Sequence, residues 1–215
     1  MVTETRRQQQ AARAIARRDD IVEAARCLYE EHGIAGTSLK SIADEVGVAR
    51  SLIYHYFPDK DAITDAVLDT YVDDFIELVR NWNESRERGN VRKALVESVR
   101  VMRRGLFDRS SLRNDLANNE NAGLYLRFSS RVAESLARYV TDTTVRDYAS
   151  LHTVEIDHVF ETFYVLISGM VSLMRRHPDT PDEVLEGVIA QTLHLDLSGT
   201  LVDADPADAG RARVL

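Results

Sequence analysis

The sequence lacks most of what builds a secreted or catalytic domain. It has one cysteine, Cys27, so no intrachain disulfide can close and no cysteine pair can grip a metal. Its place in the middle of a predicted helix reads as a small buried side chain. No apolar run is long enough to span a bilayer, and Arg6, Arg7 and the glutamines after them stand where a secretory apolar segment would lie. A cytoplasmic protein without membrane attachment is expected. Sustained two-residue alternation, the mark of a strand, is missing. So are a Gly-rich phosphate loop, a nucleophile elbow and a His-Glu-x-x-His pattern. The sequence therefore predicts no enzyme, no cofactor and no metal.

The chain is acidic, with a net charge of −8, which at first argues against a polyanionic partner. The charge is unevenly divided. Residues 1–60 carry nine basic and nine acidic side chains, so the whole excess of acid lies after residue 60. Residues 1–18 hold Arg6, Arg7, Arg13, Arg17 and Arg18 against Glu4 alone. A basic arm of this kind can lie along phosphates or reach into a minor groove. It can equally be a solvated terminus whose Gln/Ala-rich half lengthens the first helix.

From Asp19 the spacing predicts a helix, with Ile21, Ala24, Ala25, Leu28 and Tyr29 on its buried stripe and Gly33 at its end. Thr37 to Lys60 then reads as two short helices around a corner. Leu39, Ile42, Ala43 and Val46 share one face, Gly47 supplies the permissive backbone of the turn, and Val48, Leu52, Ile53 and Phe57 form a second apolar series. Stripes this short can be buried only against each other and a neighbouring helix, which leaves the outer face of the second helix free to enter a major groove. Ser38 is the expected N-cap of the first of the two, where its hydroxyl, Thr37 and Lys40 suit a phosphate. Arg50 can pair bidentately with guanine O6 and N7, and Ser51 stands beside it. Pro58 and Asp59 break the second helix and begin the next.

The residues Thr37-Ser38, Ile42-Ala43, Gly47-Val48, the run Ile53-Tyr54-His55-Tyr56-Phe57 and Lys60 resemble the DNA-binding segment of TetR/AcrR-family transcriptional regulators. The likeness extends upstream through Ile21 to Gly33; beyond residue 65 it is one of architecture. Family members usually have Ser where Ala49 stands and often Gly where Ser51 stands, so the recognition helix here lacks its side-chain cap. The resemblance implies DNA contacts for Tyr54, Tyr56 and Lys60, the last clamping a phosphate, and His55 lies among them.

The rest of the chain reads as helix throughout. Ile63, Val67, Tyr71, Phe75, Leu78 and Trp82 form one long seam that begins at the DNA face and ends in the second domain. Further helices are expected over 91–107, 112–116, 124–140, 154–176 and about 180–193, with 118–121 a connector and 141–151 a loop. The expected class is all-α, an N-terminal three-helix domain with a helix-turn-helix followed by a larger helical ligand-binding and dimerisation domain. Its divisions are a basic arm over 1–18, the DNA-binding domain over 19–64, the second domain over 65–197 and a disordered tail over 198–215.

The resemblance further implies a pocket for a small effector of unknown identity. Candidates for its apolar lining are Met102, Phe107, Tyr125, Phe128, Phe160 and Tyr164; polar candidates are Arg127, His152, Glu155 and His158. It also implies a homodimer, which two half-sites of a palindromic double-stranded operator require. The expected interface uses Phe163, Ile167, Gly169, Met170, Val171 and Met174 from one helix and Val184, Val188 and Thr192 from the next. A repressor released by its effector is the leading reading. A regulator answering to a protein partner, or to no effector, keeps the DNA motif and drops the small molecule. A helical-bundle metalloenzyme is the remote rival, because Glu155-x-x-His158 is one half of a di-iron ligand pattern whose second half is absent.

Overall fold

The computed structural model describes residues 2–107, 122–195 and 197. Among them the chain forms α1 (Val2–Gly36), α2 (Leu39–Val46), α3 (Arg50–Tyr56), α4 (Lys60–Ser85), α5 (Val91–Phe107), α6 (Ala122–Asp142), α7 (Thr144–Ala149), α8 (Val159–Arg176) and α9 (Asp182–Thr192), and no strand. The expected helix over 112–116, the connector after it and the tail over 198–215 fall outside the described residues.

Helix α1 does not start at Asp19. It runs unbroken from Val2, because Gln8 to Ala12 and the arginines around them favour helix and contain no Gly or Pro to stop it. Gly33, at φ 72° and ψ 167°, kinks its C-terminal end, a backbone region where a side chain would be strained. Ile21, Ala25 and Tyr29 of α1 are fully buried with Ile42, Ile53, Ile63 and Val67, so α1, the two short helices and the start of α4 share one core.

Helix α4 is fastened to α1 by polar contacts as well as packing. The Tyr29 and Thr64 hydroxyls lie 3.1 Å apart in a buried pair, and Arg26 meets Asp74 at 2.6 Å. Tyr71 donates its hydroxyl to Glu30; burial, then this carboxylate, push the phenol of Tyr71 up. Farther along, Phe75 and Val79 pack into the second domain with Leu95, Val99 and Leu136. The most extensive helix packing is between α6 and α8, where Val132, Ala133 and Ala137 are buried with Val171 and Met174. Arg103 ties α5 to the start of α9 by pairing with Asp182 at 2.5 Å and donating to the Pro178 carbonyl at 3.0 Å.

Two expectations are corrected here. The segment over 141–151 is not a loop, since α7 occupies Thr144–Ala149. Tertiary contacts override its weak helix propensity: the Thr144 hydroxyl donates to Asn83 Oδ1 at 2.9 Å, and Asp147 pairs with Arg86 at 3.1 Å. The late helix starts at Val159 rather than 154, because His158 takes a left-handed backbone at φ 50° and ψ 53°. Glu155 and His158 therefore do not share a helical face, and the half-pattern of a di-iron site is not formed. Among the described residues no group of three His, Cys, Asp or Glu could hold a metal, and no helix is long and apolar enough to cross a membrane.

Candidate nucleic-acid interface and ligand cavity

The corner between α2 and α3 is built by its caps. Ser38 accepts from the Ser41 backbone N–H at 3.0 Å while the Ser41 hydroxyl accepts from the Ser38 N–H at 2.9 Å, a reciprocal box that fixes the start of α2. Gly47 ends α2 in the left-handed region at φ 71°, and the Val48 N–H returns to the Ala43 carbonyl at 2.9 Å. Ala49 gives α3 no side-chain cap. Asp59 caps α4 by accepting from the Ala62 N–H at 2.8 Å.

This geometry turns Ile53 and Phe57 inward and leaves Arg50, Ser51, Tyr54 and His55 exposed on the outer face of α3. Tyr54 is 47% exposed. Arg50 lies along the helix, donating to the Tyr54 hydroxyl at 2.9 Å with its guanidinium 5.5 Å from the ring centre. The His55 and Tyr56 rings meet edge to face at 5.2 Å, and Tyr56 is half-buried. Lys40 and Ser38 are exposed at the start of α2.

Two expected contact residues are placed otherwise. Thr37 is 3% exposed, and its hydroxyl is directed at the carbonyls of Gly33 at 2.9 Å and Leu28 at 3.2 Å. It locks the kinked end of α1 instead of offering a hydroxyl to phosphate. Lys60 donates its ammonium to the Ile34 and Thr37 carbonyls and sits 6.0 Å from the Tyr29 ring centre. It adds a donor to two carbonyls at the kinked end of α1, one of which, that of Ile34, also accepts from the Thr37 N–H at 3.3 Å. Sequence spacing could not separate a surface lysine from this one.

Upstream, Arg6, Arg7 and Arg13 are exposed on α1, and none has an ion pair among the described residues. Arg17 pairs with Asp20 at 3.4 Å, and the Arg18 guanidinium lies 4.9 Å from the Phe57 ring centre. Cys27 is exposed, not buried. Partial desolvation and the carboxylates of Glu23 and Glu30 push its thiol up, which disfavours the thiolate.

The second domain holds a partly open cavity of about 200 Å³. Phe75, Val79 and Trp82 of α4 form one wall, with Leu95 and Met102 of α5, Leu136 of α6 and Phe163, Ile167 and Met170 of α8; the segment over 151–156 closes one end. Of the expected lining residues, Met102, His152 and Glu155 are present. Phe128 is buried in the core, Tyr125 lies under Arg175 at 3.8 Å, and Phe160 packs near Tyr164 with Arg138 above it at 5.3 Å. Arg127 is exposed and pairs with Asp65 at 3.4 Å, and His158 is exposed at the turn into α8. These side chains fill space elsewhere, and that of Phe107 is outside the description.

The cavity's polar end was not foreseen. Arg86 donates to Asn83 Oδ1 at 2.8 Å and to Asp147 at 3.1 Å, and Asn83 reaches the Tyr139 hydroxyl at 3.4 Å. Beside this network the His152 ring stacks on Tyr148 at 4.7 Å.

A second, shallower groove runs along α8 and α9, lined by Thr162, Val165, Leu166, Gly169, Leu173, Val188 and Thr192. Val165 is 69% exposed, Val184 51% and Val188 38%. Gly169 leaves open space where a side chain would stand. Ile167, Val171 and Met174 are buried within the chain instead of facing a partner, and Phe163 and Ile167 face the cavity. The apolar surplus on α8 serves α6 and the cavity first, and only the stripe through Val165 and Gly169 is left outside.

Residues 21–67 match the family described as bacterial regulatory proteins, tetR family. Those residues carry that family's N-terminal DNA-binding domain. The chain is 31% identical over 74 residues to the transcriptional repressor KstR2 of Rhodococcus jostii, covering 33% of itself and 36% of that protein. It is 34% identical over 100 residues to the transcriptional regulator TtgR of Pseudomonas putida, covering 45% of each. The chain thus spans less than half the length of these curated relatives. Solved structures share the fold over much more of the chain. RolR in complex with resorcinol superposes with a TM-score of 0.63 at 14% identity, covering 87% of this chain and 92% of RolR. The multidrug binding protein EbrR complexed with imidazole gives 0.58 at 18%, covering 84% and 96%.

Proposed function

We propose that this TetR-family protein is a sequence-specific DNA-binding transcriptional regulator, a homodimeric repressor that leaves a pseudo-palindromic operator when a small effector fills the cavity. One observation carries the reading. Helix α4 belongs to both sites: its first half is packed on α1 through Tyr29–Thr64 and Arg26–Asp74, and Phe75, Val79 and Trp82 of its second half form a cavity wall. A ligand that prefers one setting of α4 biases the setting of α3, and the shift can be no larger than its difference in affinity for the two states.

On the DNA side, Arg50 reads a guanine and Ser51, Tyr54 and His55 flank it, while Ser38, Lys40 and Tyr56 border phosphates. Arg6, Arg13 and Arg17 recur at helical spacing on one side of α1 and extend the contact to flanking phosphates. The groove through Val165, Gly169 and Val188 takes the same face of a second copy, placing two α3 helices over half-sites about 34 to 36 Å apart or somewhat more. Such a protein works in the cytoplasm.

The test is a mobility-shift assay on the DNA flanking the protein's own gene, paired with sedimentation. A retarded, saturable complex of two chains per palindrome is expected. Val165→Glu should give monomers that no longer retard the operator. A monomer that binds the palindrome as tightly as the parent overturns the dimeric reading, and equal affinity for random DNA overturns sequence-specific regulation.

A further inference from the structure

The chemistry of the effector can be narrowed from the cavity wall, an inference that rests on the effector reading above. Size sets the first limit. A dry cavity of roughly 150 Å³ lined by Leu, Ile and Phe holds benzene, so about 200 Å³ takes one ring with a short substituent. Fused polycycles and long acyl chains exceed that volume and would have to extend out of its open side.

Charge sets the second. The charged side chains on the wall are Arg86, Arg88, Asp147 and Glu155, two of each sign. Arg86 and Arg88 both pair with Asp147, at 3.1 Å and 3.6 Å, and Arg86 also holds Asn83. A guest carboxylate at the buried Arg86 would compete with Asp147, and most of the remaining wall is apolar, so a guest charge would lose its water for little return. The cavity favours an uncharged guest.

The third limit comes from His152. Its ring forms part of the wall, stacked on Tyr148, and its Nε2 is buried with no hydrogen-bond partner among the described residues. An unpaired buried nitrogen is costly, and a guest that supplies the missing partner recovers that cost. A hydroxyl does so for either neutral tautomer, because it both donates and accepts. We propose that the cavity selects an uncharged, single-ring hydrophobe bearing a hydroxyl, of the phenol or benzyl alcohol class, and that His152 is the residue that reads the hydroxyl.

The experiment uses the full chain with four probes, phenol, toluene, benzoate and 2-naphthol, followed by thermal shift and titration calorimetry. Phenol should raise the melting temperature and bind about tenfold more tightly than toluene, with benzoate and 2-naphthol weaker than either. His152→Phe keeps a ring on Tyr148 and removes the nitrogens; the phenol preference should vanish while toluene binding stays. His152→Gln, which restores a donor and an acceptor, should recover part of it and serves if the Phe variant does not fold. A preference for benzoate, an unchanged phenol-to-toluene ratio in His152→Phe, or no binding by any single-ring probe overturns the proposal. Operator release is followed in parallel: phenol binding without release supports the ligand class and counts against the effector reading, whereas release without phenol selectivity does the reverse.

Discussion

Gly105 and Phe75 touch so closely across α5 and α4 that a Cβ on Gly105 would lie 2.2 Å from Phe75 Cδ2 and 2.5 Å from its Cε2. Glycine in a helix interior normally costs up to about 1 kcal/mol relative to alanine, so a Gly→Ala change there would ordinarily stabilise. Here the overlap outweighs that gain. Gly105→Ala should lower stability by about 1 to 3 kcal/mol, read as a lower urea midpoint. Because Phe75 lines the cavity, a ring displaced into it should also make the variant bind cavity ligands more weakly.

Arg50→Ala separates base reading from backbone attraction. Operator binding should weaken by about 1 to 3 kcal/mol while random duplex is held nearly as before. Competition titrations of both DNAs at one salt concentration decide this. Equal losses on the two would assign Arg50 to phosphate.

Thr37→Val tests the lock at the kink of α1. The hydroxyl is buried on two carbonyls, so its removal should lower stability by about 1 to 2 kcal/mol. The slope of log affinity against log salt should stay put. A slope smaller by about one unit would instead return Thr37 to the phosphate contacts.

The basic stripe on α1 makes the opposite forecast. Replacing Arg6, Arg13 and Arg17 together by Ala should reduce the salt slope by about 2 to 3 units and leave the ranking of operator variants alone. If the slope holds, the first four turns of α1 are a solvated helix and nothing more.

Much of the DNA-binding half is legible in the sequence because its determinants are local. Ser38 and Asp59 cap, Ala49 does not, and Gly47 turns the corner, each within four residues of what it controls. Val91–Phe107 is a helix with the expected limits. The errors arise where distant partners decide. Thr144 and Asp147 become helical by joining Asn83 and Arg86, some 60 residues away, and Thr37 and Lys60 are drawn inward by carbonyls that only the kink at Gly33 exposes. The cavity was the hardest to see. Periodicity identifies side chains that face inward, but whether they meet a neighbour, as Phe128 does, or leave a gap, as Met102 does, depends on the spacing between helices, which no single helix encodes.

Helix α4 is also held at both extremities. Near its start, Asp65 and Asp69 meet Arg131 of α6 at 3.6 Å and 3.3 Å; at its end, Asn83 and Arg86 are knotted to α7. A beam supported at two points and loaded between them rotates at its supports instead of sliding through them. On the proposed reading, pressure on Phe75 and Val79, at mid-span, would therefore be delivered to the α1–α4 junction as a change of angle. In the proposed dimer such a rotation would be counted twice, so a small swing in each chain would become a mismatch in half-site separation.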